Sequence, residues 1–176
     1  MKLIKVIAVG AVIAVVLLIG LSQIGGQMTT LHHQIKIDAP QELVFATLAD
    51  LETVDDYNPH VQTAKYISEN RTGVGASREC FLGAQGTVLE RVTAVEDGKS
   101  ISMEMYEHNW PLKYMRWTTR LETEGDSTLV SQTLEYEMKF GLLGALMDRL
   151  MMRGKMDSTM NEVFNSMRDY IEKIPV

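Results

Sequence analysis

Five methionines, Met147, Met151, Met152, Met156 and Met160, fall within fourteen positions of a chain that has 12 in all. A thioether can fill a core, line a pocket for an apolar ligand, or bind a soft metal such as Cu(I). A second group is polar and sits where apolar residues are expected. Arg78 alternates with Ala76, Cys80 and Leu82, Glu90 with Val88 and Val92, and Gln132 with Val130 and Leu134. On the inner face of a sheet such groups either orient a ligand or satisfy one another, for instance as an Arg78–Glu90 pair. A third group could move protons: Glu90, His60, Tyr114 and Tyr136 are possible general acids or bases. No nucleophile elbow, His-carboxylate spacing or glycine phosphate loop fixes a pair among them. His32 and His33 are adjacent on a strand and point to opposite faces. The stripe of Met152, Met156 and Met160 continues as Val163, Phe164, Met167 and Ile171, which is core patterning, so no metal and no cofactor are expected.

These residues must be carried by a modest chain. Its 176 residues allow one domain plus a tail. A net charge of −6 argues against nucleic-acid binding through a general basic field. The single cysteine, Cys80, excludes an intramolecular disulfide and any multi-cysteine metal site.

The first residues stand apart. Lys2 and Lys5 precede a run from Val6 to Leu21 that is apolar apart from two glycines, and Ile24 extends it. Leu3 to Ile24 is long enough for a bilayer core, which needs about 20 apolar residues. Residues 1–24 are therefore expected to be an N-terminal transmembrane helix, with 25–30 a linker through Gly25-Gly26. The rival reading is a cleaved signal and a secreted domain. The apolar run exceeds the roughly 7–15 residues of a signal core, and Gly20-Leu21-Ser22 is a poor cleavage triplet, which favours the uncleaved anchor. No basic residue follows until Lys36, so the positive-inside rule places the N-terminus in the cytoplasm and the domain outside, as a single-pass membrane protein.

Residues 31–176 read as one α+β domain. A first strand over 31–38 and a short helix over 39–50 lead to a break at Asn58-Pro59. Six strand-like segments follow near 61–69, 76–82, 86–95, 99–106, 112–123 and 128–139. Turn residues separate them, with Asp97-Gly98 the strongest hairpin signal, so an antiparallel meander is expected. Its apolar face needs a cover, and a long C-terminal helix near 142–173 is available. From Met156 onward one stripe holds Met156, Met160, Val163, Phe164, Met167 and Ile171. Extended backwards, that stripe runs into Arg149 and Arg153, whereas Leu143, Leu146, Met147 and Leu150 group about a third of a turn away. The phase change predicts a kink or break near Gly154, with the segment before it a movable gate.

The stretch "IDAPQELVFATLADLETVDDYNPHV" (37–61), followed by "GVGASRECFL" (73–82), carries a resemblance. Ala39-Pro40, Phe45, Asp50, Tyr57-Asn58-Pro59, Gly73 and Gly75 resemble the polyketide cyclase/dehydrase-like branch of the SRPBCC superfamily, which includes START domains and birch-pollen-allergen-like proteins. The family helix often has Trp where this chain has Phe45. The resemblance implies a helix-grip fold: a curved antiparallel sheet of about seven strands wrapped around a long C-terminal helix, enclosing a cavity for apolar ligands. Candidate walls are then Met103, Met105, Met115, Trp117, Tyr136 and Met138 from the sheet. Met147, Met151, Met160, Phe164 and Met167 would come from the helix, with Arg78, Glu90 and Gln132 as polar groups. The same residues also read as plain core packing. The expected function is membrane-anchored binding of a hydrophobic small molecule or lipid, with a cyclase- or dehydratase-type enzyme in the same cavity as the alternative. No catalytic residue is assigned.

Overall fold

The computed structural model describes residues 28–175 together with Val16 and Ile19. The expected transmembrane segment lies outside the described residues except at those two positions, which are helical. Among the described residues no helix is long and apolar enough to cross a membrane.

Strand β1 (Met28–Ile37) opens the fold and is followed by helices α1 (Gln41–Ala49) and α2 (Val54–Tyr57). The meander comprises β2 (Thr63–Tyr66), β3 (Ser77–Phe81), β4 (Thr87–Glu96), β5 (Ser100–Glu107), β6 (Leu112–Glu124) and β7 (Ser127–Met138). Every neighbouring pair is antiparallel, in the order β1-β7-β6-β5-β4-β3-β2. The first strand thus lies beside the last. Short turns drive the meander; Gly98 has φ 70° between β4 and β5, a conformation that costs glycine little. Strand β1 starts three residues earlier than the alternation predicts. Met28, Thr29 and Thr30, expected in the linker, pair with Glu137, Tyr136 and Glu135. Thr29 is buried, and its hydroxyl is satisfied by donating to Asp148 at 2.7 Å.

The sheet packs on a helical run over 141–171. It comprises α3 (Gly141–Met147), a π-helical turn (Asp148–Met152) and α4 (Arg153–Ile171). The stripe of Met156, Met160, Phe164, Met167 and Ile171 is buried, as the periodicity predicts. The break is not where the sequence placed it. Gly154 lies inside α4 with open space where a side chain would stand. The phase change occurs instead in the π turn, whose wider i→i+5 winding inserts one residue and rotates what precedes it. Asp148 turns inward there. Its carboxylate accepts the Tyr136 and Thr29 hydroxyls and Arg153 Nη2 at 3.3 Å. Removing this acceptor leaves a buried hydroxyl on β7 unsatisfied. Asp148→Ala is expected to destabilise the fold by about 1–3 kcal/mol, read as a lower urea midpoint.

Helix α3 is entered through Phe140, a non-glycine residue at φ 71°. It then passes so close to the end of β7 that a Cβ on Gly144 would overlap the Lys139 carbonyl oxygen. Gly144→Ala therefore forces the helix off the strand. A loss of about 1–3 kcal/mol is expected, with amide-exchange protection falling first over 141–152.

Candidate functional site

Between the sheet and α4 lies a cavity of about 420 Å³. Its sheet wall is Val88, Met105, Met115, Trp117 and Leu134; its helix wall is Met152, Met156, Met160, Val163 and Phe164. Helix α2 and the segment after it close one side through Val54, Tyr57, Asn58, His60 and Val61. Asn58 terminates α2 in an extended conformation, and its side-chain oxygen accepts the His60 amide at 3.0 Å. The Asn-Pro break thus turns the chain so that both Tyr57 and His60 border the cavity. A smaller void of about 60 Å³ lies beside the first, and Tyr57, Arg78, Trp117, Gln132, Val163 and Phe164 line both.

The wall includes a buried ion pair. Registration of β3 on β4 puts Arg78 opposite Glu90. Arg78 Nε and Nη2 donate to one Glu90 oxygen at 2.7 and 2.6 Å, and Nη1 donates to the Leu51 carbonyl at 3.0 Å. Arg78 is 6% and Glu90 8% exposed, so the pair is held by mutual attraction rather than by water. Burial pulls the guanidinium down, but Glu90, with Cys80 and Tyr57, outweighs it and holds Arg78 above its ordinary value. Burial also raises the Tyr57 hydroxyl, against an opposing pull from Arg78. Tyr57 therefore stays protonated and faces the cavity as a potential donor. Gln132 donates to the Thr119 hydroxyl at 2.9 Å. His60 Nε2 lies 3.1 Å from Glu162 Oε2.

Cys80 sits behind the pair, 1% exposed. Burial and the Glu90 charge push its thiol up to about 12. Unfolded chain would release this proton near the ordinary 9.0, so above that pH the native state binds more protons. Stability is expected to fall as pH rises from about 9 towards about 12. Urea midpoints at successive pH values check this, and Cys80→Ser should lessen the decline.

Of the fourteen residues expected in a pocket, Arg78, Glu90, Met105, Met115, Trp117, Gln132, Met160 and Phe164 line the larger cavity. Met103 and Met167 line the smaller void. Tyr136 and Met138 are buried in the packing beside it, with Leu112, Leu134, Met156 and Met160. Tyr136 spends its hydroxyl on Asp148, and burial and that carboxylate raise its pKa. Met147 and Met151 need correction: they are 40% and 71% exposed and line neither space. The π turn rotates them outward and brings Asp148 and Met152 in. Tyr57, Val88, Trp110, Leu134 and Met152 border the cavity without having been singled out as its walls. Tyr57 had a visible signal, the Tyr-Asn-Pro motif, whose first residue is more than a helix stop.

The family model described as polyketide cyclase / dehydrase and lipid transport matches residues 28–172. No curated protein matches the sequence. Among solved structures, the ZhuI aromatase/cyclase from Streptomyces sp. R1128 superposes with a TM-score of 0.71 at 18% identity, covering 84% of this chain and 95% of that one. Norcoclaurine synthase from Thalictrum flavum, solved with dopamine and hydroxybenzaldehyde, gives 0.67 at 13% identity, covering 86% and 91%. At such identities the likeness is one of fold. The sequence match runs from the first residue of β1 to the residue after α4 and takes in every wall of the cavity, and on it the chain belongs to the polyketide cyclase/dehydrase and lipid transport family of the SRPBCC superfamily.

Proposed function

We propose that this protein binds one hydrophobic small molecule, a single-chain lipid or a fused-ring compound, in the cavity between sheet and helix. The observation that carries the reading is the cavity itself. Its volume of about 420 Å³ falls within the roughly 300–1,000 Å³ of small-molecule sites. About two thirds of the lining residues are apolar or aromatic, chiefly Met, Leu, Val, Trp and Phe. Methionine gives a pliable wall that tolerates more than one ligand shape. The Tyr57 hydroxyl and the Arg78–Glu90 pair supply a polar end for a ligand oxygen. The apolar run at residues 3–24 supports tethering to a bilayer, where an apolar ligand is concentrated.

Titration with the apolar fluorophore N-phenyl-1-naphthylamine tests the reading. One saturable site is expected, emptied in competition by fatty acids, isoprenoids or aromatic polyketides according to the ligand class. Emission that never saturates, or that no competitor lowers, contradicts it.

A second reading, a cyclase- or dehydratase-type enzyme, is favoured by a hydrogen-bonded ion pair and a protonated tyrosine bordering one cavity. The two readings separate at Tyr57. In an enzyme Tyr57→Phe lowers kcat for a polyketide substrate far more than it raises KM; in a carrier it only weakens binding of an oxygen-bearing ligand.

A further inference from the structure

The helical run that leads from β7 into α4 carries an apolar surface that nothing among the described residues covers. Phe140, Leu143, Leu146, Leu150 and Met151 are 59%, 57%, 53%, 72% and 71% exposed, along one stretch of twelve residues. Isolated exposed apolar side chains are ordinary, but a contiguous group of this kind marks a contact surface. From 139 to 156 the charged residues are Lys139, Arg149, Arg153 and Lys155, all exposed, and one acid, the buried Asp148. The segment is thus basic within a chain of net charge −6. Large apolar side chains flanked by lysine and arginine are the composition of helices that lie in a membrane interface, where anionic headgroups attract the bases.

Topology decides which occupant this surface meets. Met28 pairs with Glu137, so the N-terminus of the domain emerges at the same end of the sheet as α3. Thr29 is hydrogen-bonded to Asp148 directly beneath the apolar group. The apolar run ending near Ile24 leaves only a few residues before Met28, a reach of about 3.3–3.6 Å each. The cavity reaches the same end. Leu82, Gln85, Trp110, Pro111, Met152 and Lys155 line it there, and Lys139 donates to the Pro111 carbonyl at 2.9 Å. The far end of the sheet, at the β6–β7 turn, is roughly 30 Å away along ten residues of β1.

We infer that α3 and the π turn form a membrane-docking surface that seats the end of the cavity on an anionic lipid bilayer. An apolar ligand would then pass between bilayer and cavity without crossing water. The inference rests on the tethering in the proposed function, and its test separates the two.

Leu146→Cys and, as a control at the far end, Asp126→Cys are introduced into the full chain and labelled with the environment-sensitive fluorophore NBD. Cys80 is buried and does not compete for label. Each protein is reconstituted into vesicles of phosphatidylcholine and phosphatidylglycerol, with and without doxyl-labelled lipid. The Leu146 probe is expected to be blue-shifted, at least twofold brighter than the Asp126 probe, and quenched by doxyl lipid, while the control is unaffected. Brightness and quenching should fall without phosphatidylglycerol. A Leu146 probe as wet as the control overturns the docking surface. So does a blue-shifted probe that doxyl lipid leaves unquenched, which would place the chain's own N-terminal segment or a second copy on the face. Resistance to alkaline carbonate extraction reads tethering independently: a retained chain with a wet probe sinks the docking surface alone, and an extracted chain with a quenched probe sinks the tether alone.

Discussion

Arg78→Ala is expected to cost about 3–5 kcal/mol, the range for removing one partner of a buried ion pair. The substitution strands the Glu90 carboxylate inside the wall, with the Cys80 thiol, 3.7 Å away, as its remaining hydrogen-bond partner. It also orphans the Leu51 carbonyl, which Arg78 caps at 3.0 Å. Urea denaturation measures the loss. The double variant Arg78→Met with Glu90→Leu is expected to recover most of it, because replacing a whole buried pair with apolar side chains is often neutral. Stability and binding then part company. If the pair orients a ligand oxygen, the double variant folds but binds a carboxylate- or hydroxyl-bearing ligand at least tenfold more weakly, while a purely apolar probe is held as before. Affinity for the oxygen-bearing ligand unchanged from the parent would show the pair to be packing alone.

Val163→Trp should have the largest effect on binding with little effect on folding. Val163 borders both the larger cavity and the smaller void, so an indole there occupies space that is already present. Overpacking usually costs about 1–3 kcal/mol because a filled core must move aside; here an empty volume receives the side chain. The expected outcome is a melting temperature within a few degrees of the parent and at least tenfold loss of affinity for N-phenyl-1-naphthylamine. A large fall in stability with affinity retained would place the ligand elsewhere.

The strands were readable because alternation has a period of two; β5 and β7 keep it throughout, and β6 keeps it from Met115 onward, after a register shift behind Leu112. Ile101, Met103 and Met105 are buried as that pattern requires. The helix stripe from Met156 to Ile171 was readable for the matching reason at 3.6 residues per turn. The Arg78–Glu90 pair followed from two polar residues interrupting two apolar faces, one on each of two neighbouring strands. The π turn was not readable in place. Its cause is Asp148, an acid inside an otherwise apolar and basic stretch, whose partners Thr29 and Tyr136 are 119 and 12 residues away along the chain. Only the fold brings them together, so the phase shift was visible while its position was not. Met147 and Met151 point outward because of the same turn, since one inserted residue rotates a side chain by about 100°, more than a quadrant. Val88 and Leu134 show the other limit: core and pocket wall use the same residue types, and only packing shows where space is left.

Whether the cavity holds a hydrophobic molecule can be read directly. Native mass spectrometry of the full chain released from detergent, after exposure to a total lipid extract, tests it most directly. One bound apolar molecule per chain is expected, lost in Val163→Trp; a bare chain, or an adduct of undiminished occupancy in that variant, would mean that the cavity is not the binding site.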